Sequence, residues 1–183
     1  MPDTIQRMLD STSNGDAGSG ERVPAVSGYN RTGVEVDLDH WVNVARTTLT
    51  GEAILGGQLD LIFVDAEEMA ELNATHMGQS GPTDVLSFPL DGFPELEPEF
   101  LDDLSGEETP PLHLGDVVIC VEVAERQAPE HCGSLEAELS LLVIHGVLHI
   151  LGHDHGEANE ALAMQARERH YLDALGMTHP VPA

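Results

Sequence analysis

Three imidazoles at fixed offsets carry the chemistry of this chain: His145, His149 and His155 in the segment His145-Gly-Val-Leu-His149-Ile-Leu-Gly152-His-Asp-His155. Residues four apart on a helix lie on one face, so His145 and His149 share a side, and Gly152 can end the helix and turn the chain back with His155. Two ligands from a helix and a third from the turn after it leave a fourth position open. Three protein ligands plus water is the arrangement of catalytic zinc centres, whereas structural zinc is closed by four protein ligands that usually include cysteine. The segment therefore predicts one Zn²⁺ per chain, with the zinc-bound water as the only catalytic group that can be named.

The spacing is that of the metzincin pattern H-E-x-x-H-x-x-G-x-x-H, except that Gly146 stands where the glutamate would be. That glutamate is the general base of a metalloprotease, so the segment speaks for metal and against proteolysis. His153, at i+4 from His149, competes with His155 for the third ligand position. We prefer His155, because Gly152 interrupts the helix before His153. Asp154 can orient a ligand imidazole or stabilise the turn.

The elements that must position these residues follow from periodicity. The segment from Leu135 to Leu151 is apolar nearly all round, as a central buried helix would be. Alternation predicts strands at Val34–Leu38, Leu59–Val64, the stretch ending at Pro89, and Gly115–Cys120. Helices are expected over about 39–49, after Asp65 with Glu68 at the capping-box position, over Val121 to about Glu130, and over about 157–175. Strands interleaved with helices give an α/β (α+β) class: one small mixed sheet of about four strands packed by helices. Residues 1–27, rich in Ser, Gly, Asp and Asn, read as a disordered extension. Residues 28–183 read as a single catalytic domain with an acidic, Pro-rich loop at about 90–112.

The 183 residues include 33 acids against seven arginines and no lysine, for a formal charge of −26. Such a surface repels nucleic acid and anionic membranes unless arginines, divalent ions, salt or a basic partner offset it. Cys120 and Cys132 lack C-x-x-C spacing, which excludes a zinc ribbon or a disulfide framework. No apolar leader or span is present in the sequence, so a soluble cytoplasmic protein is expected.

Three segments together, PTDVLSFP at 82–89, LGDVVIC at 114–120 and HGVLHILGHDH at 145–155, resemble the YbeY family of bacterial ribosomal-RNA maturation factors. The resemblance runs from about Val34 to Gly176. It implies a single-strand-specific zinc endoribonuclease that acts in 16S rRNA 3′-end maturation and late ribosome quality control. The partners it implies are single-stranded rRNA and the ribosome or its proteins, not DNA or a membrane. Position by position, His145, His149 and His155 match the family's zinc ligands. Many members carry an arginine shortly before the PTDVLSF motif, where this chain has Met77, so no phosphate-binding role transfers there. Arg126, on the helix preceding the ligand helix, is a candidate phosphate contact or a solvated surface arginine. Asp116, unusual within a strand, is a wall carboxylate of the site or a backbone-bonding residue; Asp84 and Ser87 are read as structural. The competing functions are a zinc hydrolase of another class, such as a peptidase, and a non-catalytic ribosome assembly factor.

Overall fold

The computed structural model describes residues 23–90 and 112–181. Its four strands are β1 (Ala25–Asn30), β2 (Gln58–Val64), β3 (Val85–Pro89) and β4 (His113–Cys120). They form one sheet in the order β1-β2-β4-β3, parallel except for β3, which runs antiparallel to β4. Five helices accompany them: α1 (Leu38–Gly51), α2 (Ala66–Met77), α3 (Val121–Gln127), α4 (Leu135–Ile150) and α5 (Ala158–Ala174). The expected mixed four-stranded α/β layer is therefore the architecture found.

The first strand is a correction. Val34–Leu38 is not a strand: Val34 is exposed, and Asp37 caps α1 by accepting the His40 N–H at 3.1 Å. The true edge strand begins at Ala25, so residues 25–27, assigned above to the extension, pair with β2 in parallel register. Its sequence, AVSGYN, lacks a strong alternating signal. Its place is set by β2 and by Gly28, where a Cβ would stand 2.8 Å from Val42 of α1. Residues 1–22 and 91–111, which hold most of the expected extension and of the acidic loop, lie outside the described residues.

The alternation of β2 and β4 sends Leu59, Leu61, Phe63, Val117 and Ile119 into the main core with α1, α4 and α5. Val64, Val118 and Cys120 join Met69 of α2 in a smaller core on the opposite face. Asp65 caps α2 through the Glu68 N–H at 2.9 Å, but the Glu68 carboxylate reaches Arg31 at 2.8 Å instead of closing the box. Helix α4 is covered on nearly every side and lies directly on β4 and β3. Gly146 makes that contact: a Cβ there would stand 2.5 Å from Val117 Cγ1. Ser87 Oγ donates to the Gly146 carbonyl at 3.1 Å, which ties β3 to the same turn of α4.

Alanine is the better helix former by about 1 kcal/mol, whereas overpacking a tight core costs roughly 1–3 kcal/mol. Gly146→Ala should therefore lower the melting temperature by several degrees, read by thermal denaturation followed by circular dichroism. An unchanged or raised midpoint would mean that Val117 yields and the contact is not tight.

Candidate metal centre

Helix α4 ends at Ile150, and Gly152 takes the left-handed conformation, φ +84°, that turns the chain back over the helix end. That turn brings His155 to the two helix histidines. The ring centroids stand 4.5 Å (His145–His149), 5.0 Å (His149–His155) and 5.5 Å (His145–His155) apart. His145 Nε2 and His149 Nε2 face each other at 3.1 Å, and one nitrogen from each of the three rings lies within 4.8 Å of the others. Ligand nitrogens about 2.0–2.1 Å from a tetrahedral Zn²⁺ are separated by about 3.3 Å. The three imidazoles fit such an ion.

The hydrogen-bonding pattern supports the fit. His145 Nδ1 lies 2.7 Å from Glu168 Oε1, so the carboxylate holds the hydrogen on Nδ1 and leaves the Nε2 lone pair facing the other rings. Burial first, then the neighbouring imidazoles, lower the pKa of His149, which keeps it in the neutral form that a cation requires. Glu168 is itself buried on α5, and its other oxygen accepts from His179 Nε2 at 2.8 Å. His179 Nδ1 faces the Val181 backbone, 3.1 Å from its N–H and 3.2 Å from its carbonyl, while the Glu168 carboxylate against Nε2 places a hydrogen there. Burial works against the charged form of Glu168, but the His145 and His179 hydrogen bonds outweigh it and leave its pKa lowered.

Glu168 and His179 were not found from the sequence. Glu168 is one acid among 33, and its partners are 23 and 11 residues away. Its only signal was the helical spacing that puts it four residues after Met164, on the buried side of α5.

The other candidates separate. His153 lies 3.4 Å from Glu52, which also accepts from Arg167 and Tyr171, so it pins the turn to α1 and α5 and stays out of the cluster. Asp154 Oδ1 accepts the His155 N–H at 2.7 Å, and this backbone bond holds its pKa low; of its two readings, the turn is the one realised. Asp116 pairs with His113 at 3.0 Å on the sheet face that also carries Val118 and Cys120. Its wall-carboxylate reading fails for that reason, since α4 packs on the other face. Arg126 is exposed on α3 and is not among the residues lining the site cavity. Met77 is exposed at the end of α2 and likewise lies outside that lining.

The cavity beside His145 and His155 has a volume of about 250 Å³ and is lined also by Leu141, Leu142, Met164, Asp84 and His131. Asp84 Oδ1 accepts from Thr83 Oγ1 and the Val85 N–H, and the Asp84 carbonyl accepts the Cys120 N–H, so PTDVLSFP joins β3 to β4 beside the cavity. No described lining residue is an arginine.

His149→Ala should abolish stoichiometric zinc binding, while His153→Ala should retain it; elemental analysis of purified protein checks both. The reverse result would mean that the turn presents His153 instead. Glu168→Gln keeps the shape but weakens the acceptor and should lower zinc affinity about 10–100-fold in a chelator competition. An unaltered affinity would make Glu168 a packing residue only.

Residues 29–176 match the family model described as endoribonuclease YbeY. A Streptomyces coelicolor protein named endoribonuclease YbeY is 43% identical over 163 residues, which cover 84% of this chain and 94% of that protein. A Mycobacterium ulcerans protein of the same name is 42% identical over 145 residues, 79% of each chain. The solution structure of a Thermotoga maritima protein superposes with a TM-score of 0.52 at 26% identity, covering 82% of this chain and 88% of that one. By the length of chain the family model matches and by the identity of its relatives, this chain belongs to the endoribonuclease YbeY family.

Proposed function

We propose that this protein is a zinc-dependent endoribonuclease that cuts single-stranded RNA, with His145, His149 and His155 holding the metal. The reading rests on one observation above the others: three imidazoles converge, two of them lining a cavity, in a chain whose relatives are named endoribonucleases. An all-imidazole set of three protein ligands suits zinc with an open position. The biological substrate is taken to be the 3′ end of 16S rRNA in late ribosome maturation, in the cytoplasm. Among the described residues no helix is long and apolar enough to cross a membrane.

When bound, the ion would polarise a phosphoryl oxygen and acidify an attacking hydroxyl at neutral pH. The chain's own residues do the rest. Glu168 fixes the ring of His145, the Gly152 turn delivers His155, and Leu141, Leu142 and Met164 exclude water along one wall. Glu168 is not a free general base, since both its oxygens are held by imidazoles, whereas Asp84 lines the cavity with hydrogen bonds to Oδ1 alone. A peptidase reading has no support, because the residue at its general-base position, Gly146, is pressed against Val117.

With a charge of −26 and no arginine described in the cavity lining, RNA must be admitted by cations or by a basic partner such as a ribosomal protein. Activity on a single-stranded oligoribonucleotide should rise over the first additions of salt, opposite to the usual counterion-release trend. Duplex RNA should resist. A chelator should stop the cutting, zinc should restore it, and His145→Ala should be folded but inactive. Equal cleavage by His145→Ala and the parent protein would overturn the proposal in favour of an assembly factor without catalysis, and cleavage of casein in place of RNA would return it to the peptidases.

A further inference from the structure

A second group of ligating side chains lies two turns up the same helix. Glu138 is on α4, seven residues before His145, so the two project from one flank about 10 Å apart along the axis. Its carboxylate is 1% exposed, and both oxygens lie against His131 Nδ1, at 2.9 and 3.0 Å. Cys132 Sγ is 3.7 Å from the same nitrogen, and one donor atom from each of the three residues falls within 4.8 Å of the others. His131 also lines the cavity that contains His145 and His155.

We propose that His131, Cys132 and Glu138 form a second metal site in this cleft, one that takes a thiophilic divalent cation such as Zn²⁺. The donor set is nitrogen, sulfur and carboxylate oxygen, each a zinc ligand in its own right. The 3.7 Å between sulfur and imidazole nitrogen is close to the roughly 3.6 Å that bonds of about 2.3 and 2.05 Å make at a tetrahedral angle. The 2.9 Å between His131 Nδ1 and the nearer Glu138 oxygen would open by a few tenths of an ångström at exposed His131 to reach the roughly 3.3 Å that two such ligands make. Charge argues the same way. Taking charge out of water is unfavourable unless an opposite charge meets it, and a divalent cation among this carboxylate, imidazole and thiol would supply one.

Without metal, burial and then the neighbouring Glu138 push the Cys132 thiol up to about 12. A bound cation inverts the sign of that environment. The thiol gives its proton to water as the metal–sulfur bond forms, with no change in oxidation state. With thiolate and carboxylate both bound the site would be neutral overall, so the cation would cancel the Glu138 charge beside a cleft whose described lining has no arginine.

Cobalt separates the two centres, because the three-imidazole site contains no sulfur. Co²⁺ titrated into the full-length, metal-free, reduced protein should bind in two equivalents, one of them with a thiolate-to-cobalt charge-transfer band in the near ultraviolet. Cys132→Ser should lose the band and one equivalent. His145→Ala should lose one equivalent and keep the band, so loss of the first site cannot be mistaken for loss of the second. Glu138→Gln should weaken the band-forming step at least tenfold. Cys120→Ala serves as the control, since Cys120 is fully buried on the other face of the sheet. One equivalent with no thiolate band in the parent protein, or a band that survives Cys132→Ser, overturns the second site.

Discussion

The contact between Gly146 and Val117 governs the rest of the structure. It decides how deep α4 sits on β4, and with depth it decides rotation, because Gly146 must face the sheet for the contact to be made. At 100° per residue, His145 and His149 then lie about 100° and 60° to one side of the sheet-facing line, and Glu138 lies about 80° to that same side. One flank of an otherwise apolar helix thus carries every α4 residue that bears chemistry. The Ser87 hydrogen bond to the Gly146 carbonyl braces this turn from β3. A glutamate at position 146 would therefore not add a base to this cleft. It would have to displace the helix that holds the histidines.

Fixing a helix does not fix an imidazole, which still rotates about its own side-chain bonds. That freedom is removed from α5, where Glu168 holds His145 by one oxygen and His179 by the other. The terminal segment through Val181 is in turn held to His179, so the cavity wall and the orientation of His145 depend on one carboxylate. On the far side of the turn, Glu52 receives His153, Arg167 and Tyr171, tying the end of α1 to α5 and to the loop that carries His155. Two acids therefore set the site, neither touching the point where the imidazoles converge.

The convergence of His145, His149 and His155 was legible because its signal is local: helical spacing, a glycine at the helix end, and an imidazole three residues further on. The sheet was legible where strands are buried on both faces and run apolar, as in Leu59–Val64 and Val117–Cys120. What escaped was long-range. Ala25–Asn30 becomes a strand through its neighbours rather than its composition, and Val34–Leu38 alternates without a partner to pair with. Asp116 looked like a site residue because an acid in a strand is unusual, but strand parity sends it to the face away from α4. Glu168 and His179 could not be read at all, since their meaning is a distance between helix α5, the segment after it and α4.

The acidity of the chain and the makeup of the cleft bear on each other. A nuclease usually gathers RNA with arginine and lysine, whose charge is permanent. Here the described arginines lie elsewhere, and Arg31 and Arg167 are paired to acids. The cationic character of the cleft must come from imidazoles and from ions they hold, and both are conditional. On the proposed function, metal loading would govern binding as well as chemistry, since without an ion the described lining offers RNA apolar side chains and imidazoles in a negative field. An enzyme built this way has little hold on RNA in general. On the proposed function, its hold would be greatest where a basic partner or an ionic atmosphere has already neutralised the strand.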